Sequence, residues 1–178
     1  MTVIVGLVHR GRTHLAGDSA GSGGSQLAIR RDPKVFTNDP YVLGFTTSFR
    51  MGRLLHHAFE APHPEGDLDR FMATRFINAV RACLKDGGWA RKDSEQEQAG
   101  VFLVGVHGRL FEIHDDYQVG EPMEGYAAVG SGDDLALCTP PPSSDSNRAS
   151  ASPPPCAPQI ITARMSPPRT PTSRHPAE

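Results

Sequence analysis

What this chain lacks narrows its function before any motif is read. Among its 178 residues there are three cysteines, Cys83, Cys138 and Cys156, and no two of them form a C-x-x-C pair. A zinc knuckle, a redox dithiol or a disulfide scaffold is therefore not expected. No apolar run approaches the ~18 residues needed to span a bilayer, and Met1-Thr2-Val3-Ile4-Val5 has no basic start of a signal peptide. Charge of one sign is also missing. The formal net charge is −2, which provides no basic footprint for nucleic acid or an anionic membrane. These absences point to a cytoplasmic protein that does not engage nucleic acid or membrane.

Two further absences divide the chain. Residues 138–178 contain no glycine and no aromatic residue, yet they hold 11 of the 16 prolines and seven serines. Such a segment cannot bury enough apolar surface to offset its ordering entropy, so disorder is expected there. The change at residue 138 is abrupt, and Pro, Ser, Ala, Arg, Thr and Cys are what a GC-rich coding strand yields when read out of frame. The tail reads as a frameshifted segment, which would leave the preceding domain without its last elements. The functional content is expected in residues 1–137.

Within that body the apolar period is first 2 and then 3.6. Thr2 to Val8 and Thr13 to Gly17 read as a hairpin turning at Arg10-Gly11. Lys34 to Thr37 and Tyr41 to Thr46 read as two strands around Asn38-Asp39-Pro40, with Gly21 to Gly24 before them as a flexible loop. Met51, Leu54, Leu55, Ala58 and Phe59 lie on one helical face, closed by Pro62 and Pro64. A second helix starts with Asp67 as N-cap, buries Leu68, Phe71, Met72, Phe76, Ala79, Val80, Cys83 and Leu84, and stops at Gly87-Gly88. Gly100 to Val106, Leu110 to His114 and Tyr126 to Val129 return to strands. Strands, then helices, then strands predict an α+β fold of antiparallel sheet with segregated helices.

The chemistry is concentrated at the start of the chain. If Met1 is removed, Thr2 carries a hydroxyl and a free α-amine in one residue. An α-amine has a pKa of about 7.7–8.0, so it can accept the hydroxyl proton near neutral pH. In a hairpin turning at Arg10-Gly11, residues whose numbers sum to about 20 or 21 face one another, which brings Asp18 back towards Thr2. A carboxylate there would orient the terminus, and a neighbouring lysine would lower the amine's pKa. Lys34 is the lysine nearest in sequence, but hairpin geometry alone does not deliver it.

Thr2-Val3-Ile4-Val5-Gly6, Ala16-Gly17-Asp18-Ser19, Lys34-Val35-Phe36 and Val129-Gly130-Ser131-Gly132 resemble, in order and spacing, the proteasome β subunits and the bacterial HslV-type peptidase. These are N-terminal-nucleophile (Ntn) hydrolases. The family keeps threonine, aspartate and lysine sixteen residues apart each time, as Thr2, Asp18 and Lys34 are. The resemblance implies an α-β-β-α sandwich and a threonine peptidase without metal or cofactor. Its catalytic residues would be Thr2, Asp18, Lys34 and Ser131, the serine bonding near the terminal amine. It also implies protein or peptide substrates, a homo-oligomeric ring and an ATP-dependent unfoldase as partner.

Three features depart from the family pattern. Val3 stands where a second threonine is common. Thr46-Thr47-Ser48 replaces the glycine-rich stretch whose backbone N–H holds the oxyanion, so Thr47 or Ser48 takes that place. By position, Thr46 and Arg50 fall at the specificity pocket. The family's long helix begins at Leu135-Ala136-Leu137 and is stopped by Cys138-Thr139-Pro140, so an incomplete sandwich is expected, and with it the alternative of a catalytically dead ring subunit or remnant.

Other chemistry is weaker. Gly17-Asp18-Ser19-Ala20-Gly21 also fits G-x-S-x-G and resembles the GDS block of SGNH-type esterases, which would make Ser19 the nucleophile. That enzyme needs a late Asp-x-x-His, and Pro171 or Thr172 stands where His175 requires the aspartate. The glycine run lacks the Lys-Ser/Thr of a phosphate loop. His56 and His57 diverge by about 100° on a helix and make a poor metal pair, so a solvated face is expected. Asp115-Asp116 reads as a turn, Asp133-Asp134 as an acidic first helical turn, and Cys83 as a small core residue.

Overall fold

The computed structural model describes residues 2–23, 26–89, 91–93, 96–131 and 159–161. Two antiparallel sheets lie face to face. The first has the order β12-β1-β2-β13, from Tyr126–Val129, Ile4–His9, Arg12–Gly17 and Gln159–Ile161. The second has the order β11-β10-β9-β6-β5, from Val119–Gly120, Arg109–Ile113, Phe102–Val106, Tyr41–Phe45 and Val35–Asn38. Helix α1 (Phe49–His57) and a longer helix over residues 68–86 pack on the outer face of the second sheet. Among the described residues the order of layers is thus sheet, sheet, helix. The helix expected from Leu135 lies outside them.

Alternation along the central strands builds two cores at once. In β6, Tyr41, Leu43 and Phe45 join the helix-side cluster, whereas Val42 points between the sheets. In β9, Phe102, Val104 and Val106 face the helices and Leu103 faces the other sheet. Both faces are covered, so these strands read as continuous apolar runs. Glycine allows the sheets to approach closely: a Cβ on Gly44 of β6 would come within 2.6 Å of Ile4 Cγ2 in β1 and 3.4 Å of Val35 Cγ2 in β5. That close approach keeps the end of β1 near β5 and β6.

Both predicted hairpins form with tight two-residue turns of positive φ, at Arg10-Gly11 and at His107-Gly108. Helix α1 begins at Ser48, whose Oγ accepts the Arg50 N–H at 3.1 Å. Asp67 caps the second helix as expected, accepting from Arg70 N at 2.8 Å. That helix is not uniform. It runs as α2 (Leu68–Phe71), a π turn over Met72–Phe76, and α3 (Ile77–Asp86). Met72, Phe76, Val80 and Leu84, spaced by four, are all fully buried. A strict four-residue repeat drifts around a regular 3.6-residue helix, and the wider π turn counteracts that drift.

Some expectations require correction. Of Gly21 to Gly24, read as a flexible loop, Gly21 to Gly23 lie in β3 of the hairpin β3–β4 (Ala20–Gly23 and Gln26–Ile29). Glycine and serine give β3 no apolar period, and the four residues of β4 are too few to show one. A second small hairpin, β7–β8 (Arg91–Asp93 and Gln96–Gln98), was not expected either. Within the segment expected to be disordered, Gln159–Ile161 forms β13 along β2. The rest of that tail lies outside the described residues, as do Asp133-Asp134 and His175. His56 is no freely solvated side chain: its ring stacks on Phe36 at 4.4 Å and on His57 at 4.1 Å. Cys83 is half-buried, with its Sγ 3.8 Å from the Leu54 carbonyl oxygen, and burial pushes its thiol pKa up. The Asp115-Asp116 turn is present, with Asp116 accepting the Gln118 N–H at 2.9 Å. No helix among the described residues is long and apolar enough to cross a membrane.

Candidate active site

The hairpin register places the first functional pair. β1 and β2 pair with Ile4 opposite Gly17, a sum of 21. One step further, Asp18 N–H donates to the Val3 carbonyl at 3.2 Å, and Asp18 Oδ1 accepts the Val3 N–H at 2.9 Å. Its other oxygen accepts the Ala20 N–H at 2.9 Å. Two backbone donors therefore aim the carboxylate beside Thr2.

Lys34 arrives from the other sheet. It leads into β5, and its carbonyl accepts the Phe45 N–H at 3.0 Å, which fixes it at the inter-sheet end of β6. Its side chain is 2% exposed. A buried cation needs partners, because an unpaired one would be prohibitively costly. Lys34 Nζ has three sets of partners: Thr2 Oγ1 at 2.8 Å, both Asp18 carboxylate oxygens at 3.1 Å, and the Ala20 carbonyl. An ammonium carries three N–H donors, and all three are engaged.

The Thr2 main chain is held by the Gly130-Ser131 turn that follows β12. Thr2 N–H donates to Ser131 Oγ at 3.0 Å. In the full sequence this nitrogen belongs to the Met1–Thr2 peptide bond; once Met1 is removed the same atom is the α-amine. Gly130 has φ of +114°, and a Cβ there would collide with the Thr2 carbonyl oxygen. Glycine is needed here for both conformation and space.

Thr47 and Ser48 complete the wall. Thr2, Lys34, Thr46, Thr47 and Phe49 line a small cleft that opens to solvent. Thr47 has φ of +63°. For a β-branched residue that conformation costs roughly 1–2 kcal/mol. Ser48 N–H donates to the Thr46 carbonyl at 2.6 Å, closing a γ-turn about Thr47. The Ser48 N–H is thus engaged, whereas the Thr47 N–H has no acceptor among the described residues. Thr46 does line the cleft. Arg50 does not: its guanidinium donates to the Gly87 carbonyl at 2.9 Å.

The structure thus brings Thr2, Asp18, Lys34 and Ser131 into one bonded constellation and puts Thr47 and Ser48 on its rim. Sequence reasoning missed the Ala20 carbonyl and Val101, which act through main-chain atoms and carry no residue-type signal. Among the described residues no histidine bonds the Ser19 hydroxyl, and no cluster of three metal-binding side chains exists.

No protein-family model and no curated protein sequence matches the chain. Solved structures do. BPH from Thiobacillus denitrificans matches with a TM-score of 0.62 at 18% identity, over 76% of this chain and 75% of that one. The chain has the fold of the proteasome-β-like Ntn hydrolases. The same BPH in complex with Epoxomicin matches equally, with a TM-score of 0.62. The eukaryotic HslV of Trypanosoma brucei matches with a TM-score of 0.51 at 21% identity, again over 76% of this chain and 75% of that one. In this chain the constellation around Thr2 lies where the two sheets meet at the start of β1.

Proposed function

We propose that this chain is a threonine-type peptidase subunit of the proteasome-β and HslV kind, with Thr2 as the N-terminal nucleophile once Met1 is removed. The observation that carries this reading is Lys34 Nζ, 2.8 Å from Thr2 Oγ1 and bonded at the same time to Asp18. A buried cation directed at a hydroxyl stabilises negative charge on that oxygen as it attacks.

Thr2 Oγ1 attacks the peptide carbonyl and its proton passes to the Thr2 α-amine. The carbonyl oxygen becomes an oxyanion, which the Thr47 N–H is available to receive. The carbon–nitrogen bond then breaks, the α-amine returns its proton to the leaving amine, and an ester remains on Thr2. Water, deprotonated by the same amine, hydrolyses the ester and restores the hydroxyl. Ser131 keeps the amine nitrogen in place through both halves. Metal and cofactor have no part in this sequence of steps. Assembly into a homo-oligomeric ring fed by an ATP-dependent unfoldase belongs to the same proposal.

The test uses full chain whose loss of Met1 is confirmed by mass. Hydrolysis of a fluorogenic peptide and a covalent adduct with epoxomicin are expected, and both should vanish in Thr2→Ala. Turnover that survives Thr2→Ala would overturn the mechanism. Processed protein with neither turnover nor adduct would instead be the non-catalytic subunit.

A further inference from the structure

The last rung between β6 and β9 is built in an unusual way. Phe45 pairs with Phe102, so Thr46 stands opposite Val101. Thr46 N–H donates to the Val101 carbonyl at 3.0 Å, one half of a reciprocal antiparallel pair. The other half is missing: the Thr46 carbonyl accepts the Ser48 N–H of the γ-turn instead. The Val101 N–H is instead taken by Thr47 Oγ1 at 3.1 Å. Thr46 Oγ1 adds a second donor to the Val101 carbonyl, also at 3.0 Å. A side-chain oxygen has replaced a ladder carbonyl.

We propose that the Thr47 side chain is a positioning residue: by accepting the Val101 N–H it frees the Thr46 carbonyl to close the γ-turn. It thereby holds the left-handed backbone that leaves the Thr47 N–H unclaimed beside Thr2. The catalytic consequence rests on the threonine-peptidase reading, whereas the conformational part stands on the bonds alone. A β-branched residue with positive φ persists only where its surroundings over-determine it, and this bond supplies the restraint that conformational freedom would otherwise remove. Gly100 makes room for it. A Cβ there would lie 3.0 Å from Thr47 Oγ1 and 2.8 Å from Met51 Sδ.

Thr47→Val keeps the branched shape and removes the acceptor; Thr47→Ser restores it. Gly100→Ala displaces the Thr47 side chain without changing its chemistry. In the full chain, the Val101 amide should exchange with solvent at least about tenfold faster in Thr47→Val and Gly100→Ala than in wild type or Thr47→Ser. The Leu103 amide, inside the β-ladder, reports that the fold is intact. With a fluorogenic peptide, Thr47→Val should lose about 10–100-fold in kcat with little change in KM, since a displaced oxyanion donor acts on the transition state. Thr47→Ser should recover it. Val101 exchange unchanged by Thr47→Val would overturn the clamp, and kcat unchanged when exchange accelerates would overturn its positioning role. A wild-type chain without Thr2-dependent turnover would overturn the peptidase reading, and the exchange rates would still decide for or against the clamp.

Discussion

At the scale of single residues, the site separates what stabilises from what reacts. Lys34→Met removes the bonds to Thr2, Asp18 and the Ala20 carbonyl but fills similar space with an apolar chain, and Asp18 keeps its two backbone donors and 29% side-chain exposure. Removing one partner of a buried ion pair is costly when the other is left buried and unpaired, but Asp18 keeps contact with solvent and both N–H donors, so its charge stays compensated. We therefore expect Lys34→Met to retain its urea midpoint while losing about 10²-fold or more in peptide turnover. A parallel fall in both would mean that Lys34 serves the fold. Gly130→Ala should behave differently, because its Cβ collides with the Thr2 carbonyl and φ of +114° suits only glycine. Strain of this kind costs about 1–3 kcal/mol, so a lower urea midpoint together with loss of the epoxomicin adduct is expected. Thr2 and Asp18 were legible from the terminal hydroxyl and the hairpin arithmetic, whereas Lys34 and Ser131 were reached only through the family resemblance. The Ala20 carbonyl and the Val101 amide were not legible, since every residue but proline carries both groups.

At the scale of elements, legibility followed the apolar period. β1, β2, β5, β6, β9, β10 and both helices announce themselves through burial on one or two faces. β3, β7 and β8 carry little but glycine, serine, charge and amide, and β4 is only the four residues Gln-Leu-Ala-Ile, so none of them shows an apolar period long enough to read. Helix α1 adds a titratable group to its packing. His56 stacks on Phe36, and its pKa is lowered from 6.5, first by burial and then by repulsion from His57 and Arg53. A lowered pKa in the native state means that, just below pH 6.5, the unfolded chain binds more protons than the folded one. The stability that neutral His56 provides is therefore complete above that pH and erodes as the pH falls through it. Urea midpoints at about pH 7.5 and 5.5 should differ in wild type, and the difference should shrink in His56→Phe, which keeps the stacking and loses the charge. An unchanged difference would remove His56 as its source.

At the scale of the whole molecule, the α+β class was legible because strands grouped on either side of two helices exclude a βαβ arrangement, whereas the order of layers came only from the family resemblance. Sheet partners were not legible, since register between distant strands leaves no local trace. β13 is the clearest case, a three-residue strand in a segment whose composition predicts none. It pairs Gln159, Ile160 and Ile161 with Gly17, Ala16 and Leu15, along the edge of β2 that β1 leaves open. This edge immediately precedes Asp18, so whatever covers it also steadies the carboxylate end of the site. An uncovered edge strand presents unpaired N–H and C=O groups that invite pairing with another chain. A chain ending at residue 137 should accordingly self-associate more with rising concentration than the full chain, as sedimentation velocity would show. Its Leu15 and Gly17 amides, which face β13 because those of Ala16 and Asp18 face β1, should exchange faster. Equal sedimentation and equal exchange would mean that β13 leaves the β2 edge unprotected in solution, and the segment after residue 137 would then have no structural part in the site.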